Sequence, residues 1–151
     1  MRADEAPVWS VRVRHEGPAR ASAFADQAKV TLSPYDGLQS RGDLANPIQL
    51  ALAAAASEIM GAMLREASRR RWLVDGVEAQ AKATLTGVLA AVGVQGEVGP
   101  SQFESIRIQL SMAADADEHE LQTAFEAALL RCPVWQTLKI GCEGQALLRT
   151  L

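Results

Sequence analysis

Cysteine is scarce in this chain of 151 residues: Cys132 and Cys142 are the only two, and they form no CxxC pair. That excludes a disulfide framework and a cysteine-based zinc ribbon. Histidine is equally sparse, with His15 and His119 far apart, and no group of residues has metal-ligand spacing. Neither a metal nor another cofactor is expected. An excess of basic charge is also lacking. The formal charge is -3, from 15 Lys and Arg against 18 Asp and Glu, and a nucleic-acid binder would normally carry a basic face. The opening MRADEAPVWSV puts acids before any apolar run, so no secretory signal is expected there. Two cysteines in an unsignalled chain read as reduced thiols in the cytoplasm.

What the chain does have is a long, small-residue apolar run. Leu50 to Leu64 reads LALAAAASEIMGAML, and Glu58 is its only ionisable residue. Outside a membrane, a helix apolar on all sides belongs in a core or an interface. A carboxylate there must find a partner, take up a proton or face a cavity. Residues 47–64 are marginal in length for a membrane span, rely on weakly hydrophobic alanines, and include Gln49 and Glu58. No membrane association is expected.

The rest reads as one α+β domain, a mainly antiparallel sheet packed on helices around a long central helix. Trp9, Val11 and Val13 alternate with polar residues as in a half-buried strand, and Gly17-Pro18 marks a turn. Further strands are predicted at Ala21–Ala25 and Lys29–Ser33, with a loop over Pro34–Ala45. Asn46, Pro47 and Gln49 open the central helix as N-cap, first helical residue and capping-box partner. It should run through REASRRRW and end before Asp75-Gly76. Strands at Val77–Thr86 and Ile106–Met112 flank a glycine-rich connector with a helical turn near Val88–Val92. Asp117 and Glu120 form a second capping box, opening a helix with Leu121, Phe125, Ala128, Leu129 and Cys132 on one stripe. Pro133 stops that helix, and a last strand covers Gln145–Thr150.

Few residues are candidates for chemistry. Glu58 would pair with an arginine, either Arg65 on the same helical stripe or Arg20 from another element, or else act as a carboxylate in an apolar site. Cys132 ends one helix, where the dipole disfavours a thiolate, yet Pro133 would make it the N-cap of a new turn, which favours one. It also reads simply as a small buried hydrophobe. Cys142 has no motif around it. Arg41-Gly42-Asp43 spells an adhesion tripeptide and reads as a loop.

Two segments together resemble the OsmC/Ohr family, osmotically induced protein C and the organic hydroperoxide resistance proteins. Residues 46–57, NPIQLALAAAAS, resemble the opening of that family's central helix, and residues 131–138, RCPVWQTL, its cysteine-proline-valine turn. Gly76-Val77-Glu78, Gly87-Val88-Leu89 and Phe103–Arg107 add to the likeness, which extends from about residue 8 onwards. The resemblance implies an intertwined homodimer with the long helices at its centre. It also implies a thiol peroxidase site in which one cysteine attacks a hydroperoxide and a second resolves the sulfenic acid, with an arginine and a glutamate polarising the attacking thiolate. Here the attacking position holds Glu58, the family's glutamate position holds Ile48, and Arg20 falls in the region that supplies the arginine. Only Cys132 survives, at the resolving position. A carboxylate cannot become a sulfenate. The departures therefore imply a non-peroxidase dimer, binding a hydrophobic small molecule or serving as an accessory protein. The alternative is a hydroperoxide reductase working through Cys132 alone, with an external thiol as resolver.

Overall fold

In a computed structural model, which describes residues 7–35 and 43–151, the chain forms two compact units, Met1–Leu50 and Ala51–Leu151. The first contains an antiparallel sheet of three strands in the order β1 (Arg12–Gly17), β2 (Arg20–Ala25) and β3 (Ala28–Leu32). The predicted first strand starts late, at Arg12 rather than Trp9. Its pairing begins with Arg12 opposite Phe24, and β2 has one residue left before it turns at Asp26 into β3. Residues before Arg12 thus have no strand to pair with, and Trp9 and Val11 stay exposed. Of the predicted loop, residues 36–42 lie outside those described, including Arg41 and Gly42.

The long helix α1 (Pro47–Arg70) begins as its caps predict. The Asn46 side chain accepts from the Gln49 N–H at 2.8 Å, and the Gln49 side chain accepts from the Asn46 N–H at 3.0 Å. Its end differs from the expectation. Arg71 takes a left-handed conformation, φ 59°, while its N–H bonds the Ser68 carbonyl and the Trp72 N–H bonds the Ala67 carbonyl. That double bond from the two residues beyond the cap closes the helix four residues short of Asp75. Within the single chain, α1 is buried along one stripe. Ala55, Ala56, Ile59, Ala62, Met63, Glu66 and Ala67 are buried, while Ala53, Ala54, Ser57 and Leu64 remain exposed. By length and hydropathy α1 could cross a membrane, but its inward stripe belongs to the core.

The second unit is built on strands β4 (Val74–Thr86), β5 (Gln102–Ala114) and β6 (Glu143–Thr150), in that order. The first two are longer than predicted because their pairing runs from Val74–Ala114 to Thr86–Gln102 with two irregularities. Alternation is as read: Val77, Ala79, Ala81 and Ala83 lie opposite Met112, Leu110, Ile108 and Ile106, small residues on one strand facing large ones on the next. The glycine-rich connector carries the short helix α2 (Val88–Ala91), where the turn was expected. One pairing departs from the antiparallel expectation, since β6 runs parallel to β5. A parallel neighbour needs a crossover, and α3 (Glu118–Leu129) and α4 (Pro133–Leu138) supply it. The inner faces of β5, α3 and α1 share one core with Leu121, Phe125, Trp135 and Cys132.

A non-glycine residue in the left-handed region costs about 1 kcal/mol, and Arg71 occupies that position at the close of α1. Arg71→Gly should therefore stabilise the protein by about 0.5–1 kcal/mol, read as a higher urea midpoint with an unchanged m value.

Candidate functional site

The α3–α4 junction is where two of the candidate residues, Glu58 and Cys132, meet. The helix carrying Leu121, Ala124, Phe125 and Ala128 ends at Leu129, before Cys132 rather than at it. Pro133 then begins α4 as its first residue, with Cys132 at the N-cap. Of the two geometries open to Cys132, the chain takes the second. The thiol nevertheless gives α4 no cap. Its S–H points the other way, donating to the Ala128 carbonyl at 3.3 Å, and the residue is fully enclosed.

The cap comes from another element. Glu58, on α1, accepts the Val134 N–H with one carboxylate oxygen at 3.3 Å and the Trp135 N–H with the other at 3.1 Å. These are donors that the first turn of a helix leaves unsatisfied, and a carboxylate is the charge that such an end favours. Hydrogen bonds to a charged group stabilise by about 1.5–3 kcal/mol each when well formed. The partner of Glu58 is thus main-chain N–H, and no ion pair between described residues includes it. Of the arginines foreseen as its partner, Arg65 does not take that part. Arg65 sits on the exposed side of α1, close enough to Cys132 for its charge to be felt there. Arg20 opens β2 in the N-terminal unit, opposite Gly17 and exposed. Ile48, also in that unit, is half-buried in the first turn of α1.

Electrostatics follow from this packing. Burial pushes the Cys132 thiol up to about 11, the negative charge of Glu58 adds to the rise, and Arg65 offsets part of it. At neutral pH such a thiol is ionised in roughly one molecule in ten thousand. Chemically this is a protonated sulfur beside a carboxylate that holds a helix end. Cys142, by contrast, is half-buried and donates to the Leu138 carbonyl at 3.3 Å.

One residue of this neighbourhood escaped the sequence reading. Glu66 is buried, 6% exposed, and accepts from the Arg131 guanidinium, with Arg69 at 2.9 Å and Arg70 at 3.9 Å. Arg70 in turn lies 5.2 Å over the Trp72 ring. In sequence, Glu66 with Arg69 and Arg70 looks like an exposed helix face laced with ion pairs. The available signal was its phase: Ile59, Ala62, Met63, Glu66 and Ala67 fall on one stripe. Among the described residues no cluster suited to a metal ion occurs.

Set beside known proteins, the chain matches the family described as OsmC-like protein over residues 40–145. Its fold is similar to that of an OsmC-like protein from Mycoplasma pneumoniae, with a TM-score of 0.78 at 12% identity, covering 96% of this chain and 98% of that one. An organic hydroperoxide resistance protein from Elizabethkingia anophelis gives 0.71 at 14% identity, covering 98% and 99%. The organic hydroperoxide resistance protein OhrB of Bacillus subtilis gives 0.61 at 18% identity, covering 94% and 98%. No curated protein sequence matches the chain.

The raised thiol predicts a pH dependence with a definite sign. Folding favours the protonated thiol, so its contribution is complete below the ordinary value of 9.0 and fades as pH rises towards about 11. Urea unfolding between those limits should show stability falling with pH, and Cys132→Ala should remove that part of the slope.

Proposed function

The chain belongs to the family of OsmC-like proteins, and we propose that within it this protein is a non-peroxidase member, a homodimer that binds a hydrophobic small molecule or serves an accessory role. The observation that carries the reading is the use made of Glu58. The position at which the resemblance places an attacking thiol holds a carboxylate, and that carboxylate caps α4 through Val134 and Trp135. A group so engaged does structural work and has no sulfur to oxidise. Each of its oxygens accepts one N–H and retains a second lone pair. A half-exposed carboxylate of this kind can take a hydroxyl or N–H from a ligand whose apolar part lies elsewhere.

The alternative, a reductase working through Cys132 alone, is opposed by the same geometry. A peroxide oxygen must be met by a thiolate, whereas this sulfur is enclosed, bonded to Ala128 and held protonated. Two unpaired thiols fit the reducing cytoplasm, which is where we place the protein. Dimerisation is supported by the apolar side that α1 leaves open at Ala53, Ala54 and Leu64.

Incubation with tert-butyl hydroperoxide and dithiothreitol tests the central claim. Consumption of peroxide should not exceed the protein-free rate. Turnover that disappears in Cys132→Ser would overturn the non-peroxidase reading. Light scattering on the purified protein at micromolar concentration should give twice the mass of the chain, and a monomer would rule out the dimer.

A further inference from the structure

Two carboxylates from one helix reach the same short stretch of chain. Glu58 takes the N–H groups of Val134 and Trp135 on the C-terminal side of Cys132. Eight positions further along α1, Glu66 takes the guanidinium of Arg131 on the other side. Cys132 lies between these anchors as the enclosed member of a surface segment whose neighbours Leu130 and Val134 are 77% and 38% exposed. Its main-chain N–H reaches the Leu129 carbonyl only at 3.3 Å. The junction's exposed residues Leu130, Arg131, Pro133 and Val134 are therefore fastened to α1 by these polar contacts, while Cys132 and Trp135 between them pack in the core. Segments with few buried apolar contacts open locally at free energies well below that of global unfolding.

We propose that the α3–α4 junction is a gate latched to α1 by Glu58 and Glu66, and that releasing either latch exposes the Cys132 thiol to electrophiles while the sheet and α1 stay folded. The inference goes beyond the non-peroxidase reading and does not require it, since it concerns access to the sulfur rather than turnover. In the open state the thiol loses its proton to solvent and the thiolate adds across an activated double bond. One alkene carbon gains the C–S bond, and the other takes a proton.

The test uses the full chain in a Cys142→Ser background with N-ethylmaleimide, so that added mass reports Cys132 alone. Labelling rates are compared in Glu58→Ala, Glu58→Gln and Arg131→Met, with the unfolded fraction of each obtained from urea denaturation. The gate predicts that Glu58→Ala and Arg131→Met label at least tenfold faster than the background protein, by more than the rise in unfolded fraction. Glu58→Gln, which keeps an acceptor oxygen, should fall between. If Arg131→Met does not fold, Glu66→Gln opens the same latch. Labelling that merely tracks the unfolded fraction, or does not change, overturns the gate. So does a rise equal in Glu58→Ala and Glu58→Gln but absent at the second latch, because lost charge alone would then account for it. Hydroperoxide turnover by the native protein would end the functional reading above and leave these labelling outcomes to stand or fall separately.

Discussion

The hold of one carboxylate on two main-chain N–H groups organises this protein's candidate site. Glu58 turns the start of α4 towards α1, which places Trp135 in the core and Cys132 beneath the junction. The same charge that steadies the helix end also disfavours ionisation of the neighbouring sulfur. Structure and chemistry are coupled through one side chain, because the carboxylate that holds the helix end adds to the rise that burial already imposes on the thiol. A cysteine in the place of Glu58 would lack the two oxygens needed to accept both N–H groups. The carboxylate thus decides how the crossover is attached.

Much of the fold was legible because its signals are local. Asn46 with Gln49 and Asp117 with Glu120 both form their capping boxes, and alternation along β4 and β5 sorts their faces as read. The resemblance to OsmC/Ohr proteins is upheld at the level of family and fold. What was not legible depends on partners distant in sequence. The direction of β6 is decided by how α3 and α4 cross the sheet, and no residue within Glu143–Thr150 records it. Helix α1 stops at a left-handed arginine where a glycine would have announced the end.

The site shows the same division. That Glu58 needed a partner followed from its apolar neighbours, but an arginine was the natural guess because charged partners are visible in a sequence. Unsatisfied N–H groups at the end of a six-residue helix are not. Glu66 was hidden in the opposite way. Its arginines three and four positions on made it look solvated, whereas Arg131, 65 positions away, accompanies its burial.

The parallel pairing of β6 with β5 also has a consequence for synthesis. Strands β4 and β5 are neighbours in sequence and pair antiparallel, so they can associate as soon as both have emerged. The far edge of β5 finds its mate only after 143–150 have cleared the ribosome, with the whole crossover already in place. Until then the nascent chain carries an open strand edge backed by Ile106, Ile108 and Leu110, the kind of surface on which chains stick to one another. A pause in translation between β5 and β6 would lengthen that exposure, and rapid synthesis of the crossover and β6 would shorten it.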